Sequence, residues 1–330
     1  MEIRATVMRC AVAALLVFGL AAPARADKIA METASANSVV GIMPQSMVGF
    51  WAKDGVDVQL AMGQTLTKSL LKIVEGKLDA AVVPPPAYVA LTKGVGPYKQ
   101  LGEKAKAVAG NARALYGFPA SFYHAIVWAD GGIESWKDVG GKRIFIGPPA
   151  GVANAQITAM VKAGAGLDTS GYKPVKAPWG AATQNFQDGQ FDVYVGSFGL
   201  GSQALAELSI TRKIRILSLP EGKTEPPVGL GMAAGQIKPG TYPGQVNQEP
   251  VNTWQTVMMV MVNKDISDDV AYKLTKSYFE HVKALGKGNA QLIHLEGANP
   301  FAGVVAPLHP GALKYYKEAG ITVPANLMAH

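Results

Sequence analysis

Short runs of Val, Ile, Leu and Ala recur along this chain, each followed by a stretch of helical period, and this alternation limits the fold more than any other feature. A strand covered on both faces needs a near-continuous apolar run, and its link to a parallel neighbour is usually a helix. Val56–Met62 is followed by Leu66, Leu70, Leu71 and Val74 on one helical face, and then by the apolar run Leu78–Val83. Thr65 stands where a helix cap is expected and Gly76 where a helix ends, so residues 56–83 predict one β-α-β unit. Ile29–Met31 predicts a strand before it. The same order returns later: a strand at Arg143–Gly147, a helix at Val152–Ala163, a short strand at Val175, a helix over 181–188 closed by Gly189, and strands at Phe191–Val195 and Lys213–Leu219.

Two longer apolar strands, Tyr123–Trp128 and Thr256–Val262, belong to neither block and are expected to cross between them. The predicted fold class is therefore α/β with two lobes, each a small mixed sheet flanked by helices, joined by the two crossing strands. Lobe one is expected over 27–125 plus 256–330, and lobe two over 126–255. The return crossing leads into a helix at Asp268–Ala284, with Ser267 as its cap and Val270, Leu274, Tyr278 and Val282 spaced by four. A last helix, Pro310–Ala319, opens on proline and is followed by Gly320.

Residues 1–26 read as an export signal, with Arg4 and Arg9, an apolar stretch Cys10–Ala22 and a small-x-small pattern at Ala24-Arg25-Ala26 that places cleavage after Ala26. The stretch is shorter than the roughly 20 residues a spanning helix needs; a short uncleaved anchor is the competing reading. Cys10 is the single cysteine, so the exported part has none, which excludes disulfides, thiol catalysis and thiolate metal sites there. With 48% hydrophobic residues the chain can build a large core, and its formal charge of +7 comes without the Lys/Arg runs of a nucleic-acid footprint. No H-E-x-x-H, Gly-x-Ser-x-Gly or phosphate-loop pattern occurs, and His124, His281, His294, His309 and His330 stand apart. No catalytic residue, no metal and no cofactor is expected, no nucleic acid partner either, and the protein is expected to be a monomer.

Four segments resemble the TAXI-type solute receptors of tripartite ATP-independent periplasmic (TRAP) transporters. Leu308-His309-Pro310-Gly311-Ala312-Leu313-Lys314-Tyr315-Tyr316-Lys317-Glu318-Ala319-Gly320 is similar to that family's C-terminal signature, and Lys238-Pro239-Gly240-Thr241-Tyr242-Pro243-Gly244-Gln245 to its Gly-Thr-Tyr-Pro-Gly loop. Asp138–Arg143 with Gly147-Pro148-Pro149, and Asp188-Gly189-Gln190-Phe191-Asp192, resemble its two lobe-two strand entries. The resemblance implies a type II-like periplasmic binding protein that closes on a small organic anion and delivers it to the membrane subunits of a TRAP permease. Several loops depart from the family. Glu32–Val40 lacks the expected glycines and tyrosines, Gly63-Gln64-Thr65-Leu66 stands for Thr-Gly-Gly-Ser, Pro84-Pro85-Pro86 for a polar triplet, and Pro149-Ala150-Gly151-Val152-Ala153 for Pro-Gly-Ser-Gly-Thr. Each hydroxyl or amide lost there would leave a polar ligand group unpaired at about 1–3 kcal/mol. A less polar ligand follows, an aromatic or branched monocarboxylate.

In such folds ligands meet the carboxyl ends of strands and the starts of helices. The candidate ligand-binding residues are Ser35, Asn37 and Ser38 after the first strand, Gln64 and Thr65 before the second helix, and Asn154, Trp179, Tyr194, Ser197, Phe198 and Trp254 in lobe two. Each has a plainer reading. The serines, Asn37 and Thr65 suit helix caps, the aromatic residues suit packing, and Arg113 is a surface arginine as readily as a carboxylate clamp. The rival functions are an ABC-type receptor for sulfonates or aromatic acids, a sensor-partner protein, and an exported small-ester hydrolase.

Overall fold

Two strands of 17 and 13 residues, far longer than the rest, organise the chain. The structure is a computed structural model that describes residues 27–34, 36, 38–149 and 152–328; the export segment, Ser35, Asn37 and Gly151 lie outside the described residues. In chain order the elements are β1 (Asp27–Glu32), α1 (Val39–Lys53), β2 (Val56–Ala61), α2 (Leu66–Val74), β3 (Ala80–Val83), α3 (Pro85–Lys93), α4 (Glu103–Ala109) and the long β4 (Ala112–Trp128). Then come β5 (Arg143–Phe145), α5 (Ala153–Ala165), β6 (Lys173–Val175), α6 (Trp179–Gln187), β7 (Val193–Phe198), α7 (Gln203–Thr211), β8 (Ile214–Ile216) and β9 (Met232–Ile237). The chain closes with the long β10 (Val251–Asn263), α8 (Asp268–Gly288) and α9 (Pro310–Glu318).

The sheet runs β2-β1-β3-β10-β4-β7-β5-β6. Its two ends repeat one arrangement, a parallel triplet followed by an antiparallel long strand: β2-β1-β3 beside β10, and β6-β5-β7 beside β4. Buried apolar side chains divide in the same way. One cluster takes Ile29–Ala120 and Met259–Leu327, while two others lie wholly between Phe122 and Trp254. Between the clusters only β4 and β10 carry the sheet, so the molecule is two α/β lobes on a two-stranded ribbon.

Both crossing strands extend further than their apolar runs. β4 begins at Ala112, in an Ala-, Gly- and Pro-containing stretch that lacks the Val/Ile signal. Pro119 is accommodated because the β4–β10 register shifts between Thr256 and Val257, which relieves one rung of the ladder. β9 is absent from the sequence reading. Its Met-Ala-Ala-Gly-Gln-Ile has little strand propensity, and Gly235 sits so close under Phe122 that a Cβ there would fall 2.9 Å from the ring.

The signature segments hold the scaffold together. Ser267 Oγ accepts from Val270 N–H at the start of α8, and His309 Nδ1 accepts from Gly311 N–H at the start of α9. The two starts pack against each other, and a Cβ on Gly311 would lie 2.2 Å from the Asp268 carbonyl oxygen. Arg143 and Asp192, from two separate resemblance segments, meet through two guanidinium contacts and the Arg143 N–H, which clips β5 to the entrance of β7. Alanine normally stabilises a helix over glycine by about 1 kcal/mol. Gly311→Ala reverses that sign: overpacking against backbone lowers stability by about 1–3 kcal/mol in chemical denaturation, whereas Gly140→Ala, with open space around it, changes it by no more than about 0.5 kcal/mol.

Candidate functional site

Along the ribbon joining the lobes, successive side chains face opposite ways, and a cavity opens on each face. On one face Ser121 and Tyr123 of β4 and Thr256 and Met258 of β10 line a cavity of about 340 Å³. On the other, Phe122, Gln255 and Val257 line a broader space of about 820 Å³, walled by β9 and residues 290–302. The first is the candidate site despite its smaller size, because the carboxyl end of β7 and the first turn of α6 converge on it, as the doubly wound parts of the fold require of a ligand site.

Trp179, Tyr194, Ser197 and Phe198 stand together in the wall of this cavity, with Gln156 and Thr183. Trp179 is the first residue of α6 and is 39% exposed, a high value for an indole. Its ring meets Phe145 edge-on at 5.4 Å. Tyr194 is buried and shares a hydrogen bond with Thr183 Oγ1 at 3.2 Å. Tyr123 donates to Gln156 Oε1 at 2.7 Å, and Gln156 Nε2 donates to the Leu230 carbonyl at 2.6 Å. Burial pushes both phenols above their ordinary pKa, so they stay protonated. Thr256 Oγ1 and the Ser121 backbone exchange two hydrogen bonds.

Among the described residues no charged side chain lines the cavity. What the wall offers is ring faces, a thioether and neutral hydrogen-bonding groups. Tyr123, Gln156, Thr183, Tyr194 and Thr256 are already hydrogen-bonded within the wall, which fixes much of its shape before any ligand arrives.

The other sequence candidates fall elsewhere. Asn154 donates both amide hydrogens, to the Ile146 and Pro148 carbonyls, and so braces the loop after β5. Trp254 is fully buried in a lobe-two core and donates to the Thr224 carbonyl, which makes it a packing residue and not a cleft wall. Ser38 and Thr65 occupy the N-cap positions of α1 and α2, and Gln64 Nε2 donates to the Met62 carbonyl; none of the three lines the cavity. Arg113 bonds the Gly110 and Ala112 carbonyls at the far end of β4. The sequence reading missed Ser121, Tyr123, Gln156, Thr183, Thr256 and Met258. Strict alternation along the crossing strands would have found the ribbon residues among them had the strand ends been placed correctly.

The lobes touch near the ribbon. A Cβ on Gly231, at φ 65°, would lie 2.6 Å from Pro86 Cδ, so the Pro85-Pro86 start of α3 packs directly on lobe-two backbone. Phe122 meets His294 edge-on at 5.4 Å across the same junction.

These features fit a known family: the chain belongs to the NMT1-like family, whose pattern matches residues 54–320. Among solved structures it is similar to a TRAP periplasmic solute-binding protein of Ochrobactrum anthropi, at 10% identity and a TM-score of 0.49 over 90% of this chain and 88% of that one. It is similar as well to the aliphatic sulphonate-binding protein SsuA of Escherichia coli, at 11% identity and 0.48 over 91% and 90%. A third is the ectoine-binding protein of the Halomonas elongata TeaABC TRAP transporter, at 15% and 0.41 over 88% and 90%. Among the described residues no helix is long and apolar enough to cross a membrane.

His124 lies in β4 beside the site, fully buried, and burial lowers its pKa from 6.5 to about 4. The folded state therefore favours the neutral ring: this contribution is complete above pH 6.5 and is lost as pH falls toward about 4. At about 1.4 kcal/mol per pKa unit the loss is about 3 kcal/mol. Denaturation from pH 7 to pH 4 should show the wild type losing about that much more stability than His124→Gln.

Proposed function

We propose that this protein is a periplasmic solute receptor that holds a small organic anion, a carboxylate or sulfonate with an aromatic or branched body, in the cavity between its lobes. The carrying observation is the convergence of both ribbon strands, β7 and α6 on a cavity that is rich in aromatic rings and, among the described residues, lined by no charged side chain. A ligand that touches both lobes binds the closed form more tightly and shifts the population toward it. Trp179, Tyr194 and Phe198 would pack the body of the solute, and the hydroxyls of Ser121 and Ser197 would pair with its polar end. Ser35 and Asn37, after β1, are the proposed lobe-one donors, with residues 27–125 and 256–330 moving as one body against 126–255.

The membrane partner in this reading is a TRAP permease, with the chain in the TAXI class and its first 26 residues a cleaved export signal; the four signature-like segments support it. The SsuA likeness names the rival, an ABC-type permease. Uptake into proteoliposomes separates them, since a TRAP permease runs on an ion gradient and an ABC permease on ATP.

Purified protein screened by thermal shift against monocarboxylates, sulfonates and amino acids should yield aromatic or branched hits. At a hundredfold excess over Kd a hit stabilises by about 2.7 kcal/mol. Trp179→Ala should weaken the best hit about tenfold, about 1.4 kcal/mol, measured at a temperature below the lowered melting point expected from losing its contact with Phe145. A panel without hits, or tighter binding of glutamate than of aromatic acids, would overturn the reading; turnover of a hit would favour the hydrolase.

A further inference from the structure

We infer that Tyr242 and His124 are positioning residues for lobe closure, fixing the lobe-two segment 199–202 where it meets lobe one. The inference rests on the receptor reading for its purpose, and its geometry stands apart from the ligand.

His124 lies opposite Gly196 of β7. Its Nδ1–H donates to the Phe122 carbonyl at 2.8 Å, which leaves Nε2 as an acceptor, and the Tyr242 hydroxyl donates to it at 2.8 Å. A phenol has one hydrogen. With that hydrogen on His124, the Tyr242 oxygen is left as an acceptor beside the 199–202 turn at the start of α7, which Ser202 N–H closes by donating to the Gly199 carbonyl at 3.2 Å. The Gly199 carbonyl stands 3.4 Å away. The turn that carries Tyr242 is itself pinned to the other end of α7: Gly244 N–H donates to Ser209 Oγ at 3.1 Å, and a Cβ on Gly244 would fall 1.8 Å from the Ser209 carbonyl oxygen. The Thr241-Tyr242-Pro243-Gly244 turn thus grips α7 at both ends.

The gripped loop faces the other lobe. A Cβ on Gly199 would lie 3.5 Å from Val39 Cγ2, at the start of α1, and 3.5 Å from Gln291 Oε1. Both belong to the lobe-one side. Next along, Phe198 lines the cavity and meets the His124 ring edge-on at 5.7 Å. One buried oxygen therefore sets the cavity wall and the interlobe contact together. Removing it strands the buried His124 Nε2, which is costly to leave unpaired, and frees the loop at Gly199 from its contact with the Tyr242 oxygen, so the loop relaxes by leaving its place.

The test uses Tyr242→Phe, which keeps the ring and removes only the oxygen. Residues 27–330 contain no cysteine, so spin labels on Lys93→Cys in lobe one and Lys137→Cys in lobe two report the interlobe distance without competing thiols and without any ligand. Tyr242→Phe should move the distance distribution to longer, broader values while near-ultraviolet circular dichroism shows the cores intact. Gly199→Leu, a wedge against Val39, should open the lobes with the His124–Tyr242 pair preserved, read from an unchanged His124 ring nitrogen shift. If Tyr242→Phe fails to fold, His124→Gln takes its place with the same expectation. An unchanged distribution in Tyr242→Phe alongside opening in Gly199→Leu overturns the inference, and so does a wedge that opens nothing.

Discussion

The pairing of β4 with β10 is the constraint on which the rest of the molecule depends. It is the one part of the sheet common to both lobes, and side-chain alternation forces its residues onto two opposite faces. Ser121, Tyr123, Thr256 and Met258 face the cavity formed with β7 and α6, and Phe122, Gln255 and Val257 face away from it. In the proposed closure, motion of one lobe against the other passes through this ribbon. A register shift and Pro119 stand where the ladder would otherwise be most regular, so bending there disturbs fewer hydrogen bonds than it would in either lobe.

The lobes repeat one topology but differ in what they do with it. In lobe one the starts of α1 and α3 present Val39 and the Pro85-Pro86 pair to lobe-two backbone at Gly199 and Gly231. In lobe two, β7 and α6 present rings and hydroxyls. The resemblance segments mostly serve the frame: His309 and Gly311 seat α9 on α8, and Arg143 with Asp192 ties β5 to β7. Tyr242 is the exception, since its hydroxyl reaches from the frame to the loop at the interlobe contact.

The β-α-β framework of each lobe was legible because its strands are continuous apolar runs and α8 and α9 open on Ser267 and Pro310. By contrast, α3, α4 and α7 follow strands and turns without a clear helical start and were not. The ribbon was half legible. Val257–Val262 announces itself, but Ala112–Gly117 does not, since small residues pack there only because both neighbouring strands are already in place. In the candidate cavity, the positions of Trp179, Tyr194, Ser197 and Phe198 follow one rule, the carboxyl end of a strand and the start of a helix. Trp254 satisfied no such rule and is a core residue. Gln156 and Thr183 were hidden, because they lie one turn inside α5 and α6 and nothing in the sequence says which helix face meets the cavity.

The account rests on recognition by rings and neutral polar groups, with no fixed side-chain charge in the cavity wall. Calorimetric titration of the tightest-binding carboxylate or sulfonate across salt tests it most directly. From about 0.01 M to 1 M salt the screening length falls from about 30 Å to 3 Å, so attraction by lysines or arginines outside the cavity would fade across the series. The account predicts a Kd nearly constant over that range; a Kd that rises steeply with salt would contradict it.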